Sequence, residues 1–99
     1  MNERPPSDHR LRYQHLADRR RLGFELARLW TRMTRHPDWP QRPLAEREAL
    51  RQELDVPLAP ALADARHLEA DVRTLTARLV RLAKALRALD TGDALPVPD

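Results

Sequence analysis

Between Leu68 and Leu89 an aliphatic side chain returns at intervals of 4, 3, 4, 3, 4 and 3 residues: Leu68, Val72, Leu75, Leu79, Leu82, Leu86 and Leu89. No other feature restricts the fold of this chain so severely. An α-helix turns about 100° per residue, so the rhythm places all seven side chains in one stripe. In a strand the same residues would scatter to both faces. A sustained seven-residue repeat specifies knobs-into-holes packing against another helix. Each fully buried Leu contributes on the order of 1.5–3 kcal/mol, so the stripe requires a cover. Carrying the register backwards adds Ala65, Ala61 and Leu58, which predicts a helix over 58–91. Gly92 supplies its stop, and 93–99 reads as a tail without periodicity.

A second long helix is predicted over 8–36, with Ser7 and Asp8 as candidate N-caps after the 1–7 tail and Pro37 forcing the end. Leu11, Leu22, Leu26, Leu29, Trp30 and Met33 share one arc of it, and Gly23 lies within that arc, where a missing side chain lets another helix come close. Arg12 and Arg19 intrude on the same arc. Between the two long helices, "HPDWPQRP" carries Pro37, Pro40 and Pro43 at three-residue intervals. It reads as a stiff, extended connector over 37–43, with Trp39 as the anchor that pins it. "LAEREALRQEL" then predicts a short helix over 44–54, touching the rest through Leu50 and Leu54 and carrying Glu46, Glu48 and Glu53 as surface residues.

The expected fold is therefore all-α and a single helical domain over 8–92. Helix 1 folds back antiparallel on the heptad helix, and two copies close a four-helix-type bundle as a homodimer. Low Gly content, few β-branched residues and abundant Leu, Ala and Arg agree with that class. Cysteine is absent, so disulfides and thiolate metal sites are excluded. No apolar run is long enough to span a bilayer, and "MNERPPSDHR" is too charged for a secretion signal, so no membrane partner and a cytoplasmic location are expected.

Charge is unevenly spread. Residues 1–36 carry nine Arg against four acids, whereas 37–59 carry three Arg against five and 60–99 are balanced. Seventeen of the eighteen basic residues are Arg, whose forked guanidinium matches phosphate and carboxylate geometry. On helix 1, Arg10, Arg21, Arg28, Arg32 and Arg35 fall in a sector about 60° wide, away from the apolar arc. That band is the candidate binding site for nucleic acid, a nucleoprotein complex or an acidic protein surface. The band offers no Asn and only Gln14 nearby, so sequence-tolerant contact is expected. The alternative expectation is a protein–protein adaptor, inhibitor or small complex subunit that docks through the heptad seam itself.

Two short stretches resemble known families. Ala49, Leu50, Glu53, Leu54 and Val56 are similar to the helix-turn-helix pattern of bacterial DNA-binding regulators, although Asp55 replaces the usual Gly and Pro60 sits inside the implied recognition helix. His36, Pro37 and Asp38 resemble the signature loop of J-domain co-chaperones. That resemblance implies docking on a partner chaperone ATPase, assisted by Arg28, Arg32 and Arg35. Trp39 stands where that family carries a basic residue, and Pro57 interrupts the implied following helix.

Catalytic chemistry finds no constellation. His9, His15, His36 and His67 form no i, i+4 pair, Ser7 is the one serine, and no glycine-rich phosphate loop exists. The chain is expected to be a non-enzymatic interaction module with no cofactor, metal or small-molecule substrate.

Overall fold

The computed structural model describes residues 8–95. The Ser7 cap, the 1–7 tail and residues 96–99 lie outside the described residues. Three helices follow in chain order: α1 (Asp8–Thr34), α2 (Leu44–Gln52) and α3 (Ala65–Thr91). Helix accounts for 72 % of the described residues, and no strand occurs among them. None of the helices is long and apolar enough to cross a membrane.

α1 packs on α3, and the direction of that packing corrects the expected antiparallel hairpin. Asp8 Oδ1 accepts from the Ala65 amide at 3.3 Å, Arg19 donates to Asp71 at 2.8 Å, and His36 meets Asp90 at 2.9 Å. These partners are separated by 57, 52 and 54 residues. A nearly constant separation means that the two helices run in the same direction. The chain must therefore travel the length of the pair before α3 begins, and residues 35–64 make that journey. Arg42 reaches the Ala88 carbonyl, Glu53 pairs with Arg81, and the Ala59 amide reaches Asp71, so the return segment runs antiparallel to α3.

The return explains why α3 starts at Ala65 and not at 58. Pro57 and Pro60 lack amide donors and hold the chain extended, so the heptad register stops short of Leu58 and Ala61. Leu58 and Leu62 are exposed. Asp64 then caps the helix, its carboxylate accepting from the His67 amide at 3.0 Å. That backbone hydrogen bond, followed by the hydrogen bond to the His67 side chain, holds the Asp64 carboxyl below its usual range. At the other end Gly92 adopts φ +76°, a left-handed cap that only glycine takes without strain, and its amide closes on Ala88.

The connector is also not the extended rod expected from its prolines. Trp39, Gln41 and Arg42 donate backbone hydrogen bonds three residues back, to His36, Asp38 and Trp39, so residues 36–42 form successive tight turns. Prolines at these intervals fix φ near −65°, which suits the leading positions of turns as well as an extended helix. Trp39 folds under this coil, buried edge-on against Trp30 with ring centroids 5.4 Å apart. α2 ends at Gln52, two residues short of 54, and inserts Leu50 into the core.

The core joins Leu22, Leu26 and Met33 of α1 to Leu75, Leu82, Ala85 and Leu89 of α3, with Trp39 and Leu50 from the return segment. Leu95, beyond the α3 cap, is buried there too, so the start of the expected tail belongs to the fold. The seam itself divides into two rows. Leu68, Leu75, Leu82 and Leu89 are buried within the single chain, while Val72, Leu79 and Leu86 are half-buried along one edge.

Candidate binding face

Which polar groups hold the fold together, and which are left over? Arg19 belongs to the first kind. Its intrusion on the apolar arc is resolved by Asp71, which accepts from Arg19 and from the Ala59 amide, while Arg19 also donates to the Ala59 carbonyl at 2.7 Å. Both side chains are nearly enclosed, so the three groups satisfy one another away from water and tie α1, α3 and the return segment at one point. Glu53 corrects the expectation of a surface carboxylate. It is only 6 % exposed and pairs with Arg81, with Arg78 at 3.9 Å. A charge buried there is tolerated because two guanidiniums of α3 face it.

The sequence offered a signal for Glu53 in Arg78 and Arg81, three residues apart on α3 and on one side of its aliphatic stripe. Finding it required knowing which groove the return segment occupies.

His36 is likewise absorbed by the structure. Its Nε2 meets Asp90 and its Nδ1 accepts from the Asp38 amide at 3.1 Å, so the His-Pro-Asp tripeptide forms the joint between α1 and the turns. Residues 53–64 contain no helix, which leaves the recognition-helix slot of the helix-turn-helix pattern empty.

Arg10, Arg21, Arg28, Arg32 and Arg35 are all exposed on α1 or just past its end. Part of the band is neutralised within the helix. Asp18 lies 3.5 Å from Arg21 and Glu25 lies 3.3 Å from Arg28, both as exposed i, i+3 pairs worth little in water. Arg10 also has a partner. Arg32 and Arg35 have no carboxylate partner among the described residues.

Beside this band runs a feature that a search for one apolar stripe overlooks. Tyr13, Ala17, Phe24, Ala27 and Thr31 point away from the core, and Phe24 and Tyr13 are 60 % and 74 % exposed. The Arg20 guanidinium sits 6.0 Å from the Phe24 ring centroid. Two shallow depressions flank that ring. One, of about 520 Å³, is lined by Tyr13, Leu16, Ala17, Arg20, Arg21 and Glu25, and the other, of about 370 Å³, by Ala27, Arg28, Thr31 and Arg32. Gly23 adjoins them. The expected close approach of a helix at Gly23 does not occur among the described residues, because a Cβ added there would meet nothing within 4 Å.

No group of three or more His, Cys, Asp or Glu among the described residues could hold a metal ion. Comparison of the chain with protein-family models, curated proteins and solved structures finds no match.

Proposed function

We propose that the chain is a small, non-enzymatic helical interaction module that binds a polyanionic partner, nucleic acid or an acidic protein surface, through the outer face of α1. The observation that carries this reading is a division of labour among arginines. Arg19, Arg78 and Arg81 are consumed by buried carboxylates, whereas Arg21, Arg28, Arg32 and Arg35 stand exposed on one side with weak partners or none. Side chains that contribute nothing to the core yet share one face are the surplus from which a binding surface is made.

The test is charge reversal. The triple variant R21E/R28E/R32E should stay folded and lose binding to anionic probes, a generic duplex and polyglutamate among them. Wild-type affinity should fall steeply with salt. Unchanged binding by the triple variant would make the band solvent decoration.

A homodimer is the second reading, and a half-buried aliphatic edge supports it. The return segment fills one groove between α1 and α3. Half-buried Leu29, Val72, Leu79 and Leu86 lie elsewhere at the edge of the core, and Val80 beyond them is 51 % exposed. Two copies joined along that edge would complete the four-helix arrangement and its coiled-coil packing. The adaptor function through the seam would have to use this same edge, because the other row is already filled. Leu79→Glu is expected to abolish any dimer seen by sedimentation while leaving the buried row intact.

A further inference from the structure

Resting on the reading of α1 as a binding face, we infer that its occupant is an acidic amphipathic helix supplied by a different protein. Tyr13, Ala17, Arg20, Phe24, Ala27 and Thr31 recur at 4, 3, 4, 3 and 4 residues, the same rhythm that α3 uses to pack on α1. α1 thus carries two helix-packing stripes on opposite sides, and only the inner one is covered. Along the outer stripe Phe24 stands as a post between two depressions, with the small residues Ala17 and Ala27 one on either side of it. This alternation of large and small side chains is what a neighbouring helix interlocks with.

Charge selects among possible occupants. Arg21, Arg28, Arg32 and Arg35 follow one flank of the stripe and Arg20 lies within it, so the surface meets a partner helix as an apolar seat with a cationic margin along one side. A second copy offering the same face would set arginine against arginine, and like charges juxtaposed in an interface cost several kcal/mol. An acidic helix places carboxylates on that margin and its apolar residues around Phe24. A nucleic-acid strand fits less well. Tyr13 and Phe24 are eleven residues apart, roughly 16 Å along the helix axis, whereas successive bases in a stack are about 3.4 Å apart. The two rings therefore offer no continuous stacking platform, and phosphates need no apolar post between arginines.

The experiment measures binding of the full chain by fluorescence anisotropy. Its probes are a helical peptide with Leu at 4-3 spacing and Glu on both flanks, a scrambled peptide of identical composition, and single- and double-stranded oligonucleotides. Wild type is compared with F24S and with R21E/R28E/R32E, whose folding is checked by circular dichroism. These are exposed positions, and no core contact is lost. The amphipathic peptide is expected to bind wild type, to weaken about tenfold or more with F24S, and to be lost with the triple reversal. The scrambled peptide should bind weakly and ignore F24S. Equal binding of both peptides, or indifference of the amphipathic peptide to F24S, overturns the helix proposal and leaves the basic-face reading standing. So does tight oligonucleotide binding without peptide binding. Self-association of wild type that F24S removes assigns the face to a second copy and also overturns it. Failure of every probe to bind, or insensitivity of all binding to charge reversal, sinks the basic-face reading together with the inference built on it.

Discussion

α1 and α3 are both 27 residues long, lie side by side and share one core, yet they dispose of their side chains differently. α3 turns its leucines inward and spends Asp71, Arg78 and Arg81 on binding the return segment. α1 contributes Leu22, Leu26 and Met33 to that core and keeps a second apolar row and a cationic band outside it. An arginine-rich composition thus carries little functional meaning until each guanidinium has been assigned a partner. Arg19 is a structural residue, and Arg32, about three and a half turns along the same helix, is not.

The sharpest way to break this contrast is through the core. Leu82→Ala should cost about 2–5 kcal/mol in chemical denaturation, because its side chain is fully enclosed by both helices. Asp71→Ala comes next, at about 3 kcal/mol, since it strands Arg19 and the Ala59 amide away from water. The double change Arg19→Met with Asp71→Leu should recover much of that loss, and a double variant as unstable as the single one would show that the return segment depends on the charges themselves. On the outer face the sign reverses. Gly23→Ala should stabilise the isolated chain by about 0.5–1 kcal/mol, as nothing crowds the new methyl group. Arg28→Ala and Arg32→Ala should move stability by less than about 0.5 kcal/mol.

The smallest effect is expected from acid. The folded-state pKa of Asp64 is depressed, so its contribution is present above the ordinary carboxylate range and fades as pH falls through the lowered value. Asp64→Ala should abolish that part of the acid sensitivity, read as a flatter dependence of the denaturation midpoint on pH below the usual carboxylate pKa.

Helix faces were legible because periodicity reports them directly, in the leucines from 68 to 89 and the inward row of α1, and Trp39 was legible as an anchor from its aromatic bulk in a polar connector. Relative direction was not, because a helical wheel gives the angle of a side chain and not the sense of the axis. A clue was nevertheless present. Antiparallel neighbours are joined by roughly two to eight residues, and the interval from Thr34 to Ala65 is far longer, enough to return along the whole of α1. Pro57 and Pro60 likewise marked the true start of α3, but an aliphatic register that continued through Leu58 and Ala61 masked them. Glu53 became buried because of the groove its segment fills, which no local pattern encodes, whereas Tyr13 and Phe24 remained outside as the periodicity of α1 places them, opposite its inward row.

The shared direction of α1 and α3 has an electrical consequence. Peptide dipoles of antiparallel helices largely cancel, whereas here they add, leaving one end of the rod partially positive and the other partially negative. The carboxylates of Asp8 and Asp64 stand at the first end, and Arg42 donates to the carbonyls of Ala88 and Asp93 at the second, at 3.4 and 2.5 Å. Each terminus thus carries its own counter-charge, and the residual polarity gives the molecule a head and a tail that a reversed pairing of the same helices would have erased.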